Sequence, residues 1–165
     1  MTWLTENGSL VSAVAELVRQ VRGTTLQLLD AADRTSLTWT PPGTSNHMLW
    51  HAGHAAWALD GLIVVPVTGQ SELPAGFAEK FGMGSQPANI TDWPEVTEVR
   101  AQLEAQVHRI VELLLTNADE ISARLNTPPR EGDWPLVPGM IHACHDEARH
   151  QGEMMLLQKL WRAGD

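Results

Sequence analysis

Apolar residues recur along most of this chain at intervals of three and four, the repeat of one helix face. Between positions 10 and 29 the pattern passes through Leu10, Val14, Leu17, Val18, Val21, Leu26 and Leu29. Asn7-Gly8-Ser9 precedes it with capping side chains, so a first helix is predicted over LVSAVAELVRQVRGTTLQLLDAA. Pro41-Pro42-Gly43-Thr44-Ser45 is a break followed by a cap. A second helix is predicted from about Asn46 to Val65, ending near Pro66. Thr91-Asp92-Trp93-Pro94-Glu95 offers a capping side chain and a first-turn proline. It predicts a third helix to about Leu125, with Val99, Leu103, Val107, Ile110, Val111 and Leu114 as its stripe. A fourth helix is predicted from Pro135 or Pro138 to about Arg162. No segment alternates with period two over any length, and tyrosine is absent. The expectation is all-α, a four-helix bundle in a single domain over residues 1–165. A long loop joins helices two and three, from about Thr68 to Ile90. A loop of that length in a compact domain is often functional.

Composition narrows the classes of function. At 165 residues with 43% apolar content, the chain is long enough to bury a core without disulfide or metal support. Twenty acidic against eleven basic residues give a formal charge of −9. No basic stripe is present, which argues against a nucleic-acid or anionic-membrane partner. Cys144 is the single cysteine, so no internal disulfide can form, and a reducing compartment is the natural reading. The stretch MTWLTENGSL has neither a basic nor an apolar signal region, and the run Leu62–Val67 is too short to span a bilayer. The expected location is the cytoplasm.

The candidate chemistry lies on the second and fourth predicted helices. In SNHMLWHAGHAAWALD, His47, His51 and His54 fall on one face, at about 0°, 40° and 340°. A bundle's inward face is normally apolar, so three histidines there need a reason. The plain reading is surface histidines with one hydrogen-bonded core histidine. The sharper reading comes from HDEARHQGEM, residues 145–154. With His142 as zero, Asp146 lies near 40°, Glu153 near 20° and His150 near 80°, whereas His145 lies near 300°. Asp146 and His150 can share an ion as i and i+4 residues do in helical zinc motifs, and His145 cannot join them. His142, one turn earlier, is the reserve ligand on this helix, and His51 is the reserve on the second. Glu147 and Arg149 are expected at the helix edge or in solvent, pairing their charges.

A site built from His54, Asp146 and His150 offers two imidazoles and a carboxylate. That set suits zinc, iron(II), nickel or manganese, and three protein ligands leave room for water or substrate. A cation there would lower the pKa of bound water and could hold a thiolate. Glu153 is the candidate general base or a support for a ligand, with a salt bridge to Arg149 as the structural alternative. The open position is expected to face a pocket beneath the Thr68–Ile90 loop, walled partly by Trp50 or Trp57.

These motifs resemble those of the DinB-like (DinB/YfiT) superfamily of four-helix-bundle metalloproteins. The segment LWHAGHAAWALD is also similar to the iron-binding bundle domain of ergothioneine-pathway sulfoxide synthases. The resemblance implies that His54 is the ligand of the second helix and His51 a variable neighbour. RHQGEM matches the family's closing pattern and implies that His150 is the last ligand. The chain departs from the pattern at Asp146, where the family usually has histidine. Some members carry glutamate there and a histidine one turn earlier, which here is His142, so the third ligand is Asp146 or His142.

The resemblance implies a divalent-metal-dependent enzyme acting on a small molecule, either a transferase using a low-molecular-weight thiol or a hydrolase. The other expectation is a non-catalytic bundle with a degenerate site, binding a partner through its loop or a helix face. The wide apolar stripes of the first and third helices add the expectation of a homodimer, for which obligate interfaces bury above roughly 2,000 Å². Light scattering at micromolar concentration should then show a species of twice the chain mass, and a monomer alone would refute it.

Overall fold

The computed structural model describes residues 10–124 and 126–164, so the Asn7-Gly8-Ser9 cap and Leu125 lie outside the described residues. The described residues are helical, without strands. Helix α1 spans Leu10–Asp30. Its buried positions are Val11, Val14, Ala15, Val18, Arg22, Thr25 and Leu29, a seam spaced by three and four. Leu10, expected on that seam, is half exposed.

Helix α2 spans Met48–Leu59 and is buried except for Trp57. It starts later than the sequence suggests because His47, not Ser45, is its N-cap. The His47 Nδ1 accepts the backbone N–H of Trp50 at 3.1 Å. The helix does not stop at Pro66. One turn, Asp60–Val64, widens to π geometry, and α3 continues over Val65–Thr68 with Pro66 in its first turn. A proline has no N–H and crowds the carbonyl four residues back, and a wider turn just before it relieves both conflicts. Gly69, at φ 85°, ends the segment, as a left-handed residue at this position commonly is glycine.

The Thr68–Ile90 stretch is not structureless. It contains the short helix α4, Phe77–Phe81, packed on α2. Helix α5 begins only at Val96, because Asp92 binds Lys80 at 2.7 Å instead of capping. It ends at Thr116, where Asn117 turns its side-chain amide onto the Leu113 carbonyl at 2.8 Å. Helix α6 follows over Ala118–Ala123. Helix α7 runs from Leu136 to Gly164 with Pro138 in its first turn, where a missing N–H costs nothing.

The long helices pack in the cyclic order α1, α5, α2, α7. Two apolar clusters fill the interior. One joins Val11–Val18 to Ile63, Ile110, Leu114 and Met140. The other joins Leu29 to Met48, Trp50, Phe81, Leu103 and Met154. Between them in sequence, on α1, α5 and α7, comes a layer of buried polar residues: Arg22 and Thr25, Gln106, and Glu147 and Gln151. None of the described helices is long and apolar enough to cross a membrane.

The centre of that polar layer is an ion pair. Arg22 and Glu147 side chains are each 1% exposed and meet in two bonds, Nε to Oε1 at 2.9 Å and a terminal nitrogen to Oε2 at 3.2 Å. The remaining guanidinium donor reaches the Leu103 carbonyl at 3.1 Å and Gln106 Oε1 at 3.0 Å. Thr25 donates to Glu147 at 2.6 Å, Gln151 donates to Thr25 at 3.0 Å, and Gln106 donates to the Ala56 carbonyl at 2.9 Å. Glu147 is therefore not at the helix edge, as its charge alone suggests. Arg149 is exposed, as expected. The reason is the partner: a carboxylate enters a core when a bidentate guanidinium meets it there.

Removing one member should cost about 3–5 kcal/mol, because the other charge stays buried alone. Arg22→Met should therefore lower the urea midpoint more than the Arg22→Met/Glu147→Met double variant. A single variant more stable than the double would contradict this account.

Candidate metal centre

Three side chains from two helices meet on the α2–α7 face of the polar layer. His54 is 3% exposed. Its ring stacks on Trp50 with centroids 4.6 Å apart and planes 20° from parallel, and Trp57 flanks it at 5.2 Å. The His54 Nδ1 lies 2.7 Å from the Phe81 carbonyl oxygen. A carbonyl only accepts, so Nδ1 carries the hydrogen, which leaves Nε2 as the nitrogen able to offer a lone pair. That Nε2 faces Asp146 Oδ2 at 3.8 Å, and His150 Nε2 faces the same oxygen at 3.4 Å.

The donor atoms of His54, Asp146 and His150 all lie within 4.8 Å of one another. Ligands bound at about 2.0–2.2 Å in a tetrahedral site are themselves about 3.4 Å apart, and the 3.8 and 3.4 Å separations from Asp146 Oδ2 to the two imidazole nitrogens suit a divalent cation. The hydrogen bond behind His54 is the support that metal-bound histidines usually have.

Electrostatics favour ligand-ready rings. Burial is the main cause that lowers the His150 pKa; His54 lowers it further, and Asp146 opposes the shift. His51 is 5% exposed, and burial, then His150, pushes its pKa down to about 3. A neutral imidazole offers a lone pair, and protonation would remove it.

The other candidates have different placements. His142 stacks on Trp134, with centroids 4.5 Å apart and planes 13° from parallel, and lies outside the group. His51 does not point a nitrogen into the group. Its Nδ1 lies 2.7 Å from the far nitrogen of His150, Nδ1. His47 is the helix cap, with its pKa lowered to about 4 by burial. His145 is exposed. Glu153 is exposed on the wall of a cavity shared with Asp146 and His150. Arg149, its expected alternative partner, reaches Asp146 instead, at 3.9 Å.

That cavity has a volume of about 550 Å³. It lies between α7 and the segment around Gly43–Asn46 that precedes α2, with Leu156 and Leu160 at one end. The sequence suggested a pocket under the Thr68–Ile90 loop, walled by an indole. Neither that loop nor Trp50 or Trp57 lines the cavity. The loop acts from behind. Phe81 is packed so closely on Gly53 that a Cβ added there would fall 2.2 Å from its ring. Trp50 also ties the loop down, donating its indole N–H to Ser85 at 2.8 Å.

Sequence reasoning missed Gly53 and the Phe81 carbonyl as supports of His54. A backbone acceptor leaves no residue-type signal. Gly53 does leave one: a glycine in a helix interior is costly unless something approaches closely.

A family model described as the DinB superfamily matches residues 17–154, well over half the chain and including every residue of the group. No curated protein matches the chain.

The contact at Gly53 generates a test. Gly53→Ala should displace Phe81, lowering stability by about 1–3 kcal/mol, as overpacking does. It should also weaken metal binding, because the His54 Nδ1 loses its acceptor. Urea unfolding and zinc titration of the same variant check the two effects, and a variant unchanged in both would refute the role.

Proposed function

Because the chain belongs to the DinB superfamily, we propose that it is a divalent-metal-dependent enzyme acting on a small molecule, as a thiol-dependent S-transferase or a hydrolase. The observation that carries this reading is the convergence of two imidazole nitrogens and one carboxylate oxygen within 4.8 Å beside an open cavity. A divalent cation held there supplies Lewis acidity, favouring the conjugate base of a thiol or water at neutral pH.

The chain's residues divide the remaining work. His54 and His150 present nitrogen lone pairs, and Asp146 offsets part of the positive charge. The cavity admits a small molecule along Leu156 and Leu160, which give an apolar part of it a place to lie. Glu153, on the cavity wall, is placed to take the proton that the thiol or water gives up. In S-transfer, a sulfur–carbon bond forms as the carbon–leaving-group bond breaks, and the leaving group departs with the electron pair. The thiol must come from solution. The single cysteine, Cys144, is buried, and burial followed by the nearby Glu147 pushes its pKa up to about 12.

Elemental analysis of protein purified without chelator or tag-derived metal should give close to one divalent cation per chain. Asp146→Ala should weaken zinc binding by more than the roughly 10–100-fold typical of supporting residues. His145→Ala and His142→Ala should leave it unchanged. Equal affinity in all three variants would sink the assignment and favour a non-catalytic binding module. With cobalt bound, added thiol should produce a sulfur-to-metal charge-transfer band. A spectrum unchanged at saturating thiol would remove the S-transferase branch.

A further inference from the structure

His51 was expected as a spare ligand, yet its geometry gives it another task. The His51 and His150 Nδ1 atoms are 2.7 Å apart. Two ring nitrogens this close share one hydrogen, which one donates and the other accepts. The opposite nitrogen of His150, Nε2, faces Asp146 at 3.4 Å. A neutral imidazole carries a single N–H. If Nε2 is to offer a lone pair beside Asp146 and His54, the hydrogen must sit on Nδ1, and His51 Nδ1 is the acceptor placed to receive it.

We propose that His51 is a positioning residue, accepting the Nδ1–H of His150 and holding that ring in the tautomer that presents Nε2 to a divalent cation. The proposal rests on the metal-centre reading above. It gives the two ligand histidines matching supports, since His54 is held by the Phe81 carbonyl and His150 by a second imidazole. The setting suits a specific hydrogen bond. Trp50 meets His51 edge-on at 5.3 Å and His150 at 5.9 Å, and so shields the pair on one side. A part-buried hydrogen bond of this kind fixes ring orientation as well as the site of the proton.

Histidine-selective ¹⁵N labelling of the zinc-loaded full chain tests it. The expected result is a through-hydrogen-bond coupling between the two Nδ1 atoms, with the hydrogen on His150. A hydrogen on His51 Nδ1, or a zinc-bound nitrogen shift for His51, would overturn the proposal. Zinc affinity gives a second readout. His51→Phe should lose about 10–100-fold, the usual effect of removing a ligand's support. His51→Asn, whose side-chain oxygen can stand near the lost Nδ1, should recover most of it. If His51→Phe does not fold, the His51→Asn affinity and the native spectrum still decide. Native chain that binds zinc together with a folded His51→Phe that binds equally well would overturn this proposal alone. Native chain that binds no zinc would overturn the metal centre itself, and this role with it.

Discussion

The buried Arg22–Glu147 pair fixes how α7 can sit. Each charge loses its hydration, a penalty of several kcal/mol per ion that is offset only by near-complete pairing. Here the two bidentate bonds, the Leu103 carbonyl, Gln106 and Thr25 supply that pairing from α1 and α5. Any rotation of α7 that moved Glu147 away would leave a guanidinium alone in the core. Successive helix residues are about 100° apart. With Glu147 and Gln151 turned to α1, the residues just before them, Asp146 and His150, must turn toward α2. The ion pair and the candidate metal group are thus two faces of one helical register.

The polar layer gives the bundle specificity that its apolar clusters lack. Leucine and valine seams tolerate exchange of one apolar contact for another of similar volume, because such contacts are non-directional. A layer of directional bonds does not. On the α2 side the constraint is steric as well as polar. Gly53 admits the Phe81 ring, the ring fixes the backbone of α4, and that backbone places one carbonyl against His54. The loop between the second and third long segments therefore contributes to the centre through its main chain, from behind, while the opposite side of the group opens to the cavity.

Much of this was readable in the residues. The α5 stripe of Val99, Leu103, Ile110, Val111 and Leu114 is buried as its spacing predicts. The phase of Asp146 and His150 against His145 follows from the helical repeat alone. What stayed hidden depended on partners distant in sequence. Arg22 lies 125 residues from Glu147, and nothing local marks either as internal. A weak signal did exist: Arg22 and Thr25 stand at core positions of the seam running from Val18 to Leu29, where polar residues need partners of their own. His47, His51 and His54 share one face by spacing, yet they have three different places: one caps, one meets His150 and one belongs to the group. Spacing gives a side chain's direction, and only the facing atoms give its task. The cavity was misplaced for a related reason. Loop length shows that a loop can reach over a site, and which side of the histidine it covers is a matter of packing.

The aspartate at position 146 also shapes what the centre can accept. In the proposed centre, two neutral imidazoles and one carboxylate would reduce a divalent cation to a net charge of +1. One incoming thiolate or hydroxide would bring the cluster to zero, the state favoured in a partly desolvated site. With histidine in place of Asp146 the cluster would keep its full double charge and bind an anion more strongly before reaction. In the proposed reaction the carboxylate would trade ground-state attraction for an easier release of the bound anion to its electrophile. The Arg149 guanidinium lies 3.9 Å from the other Asp146 oxygen, but it is exposed and solvent screens most of its charge, so the carboxylate itself would set the balance.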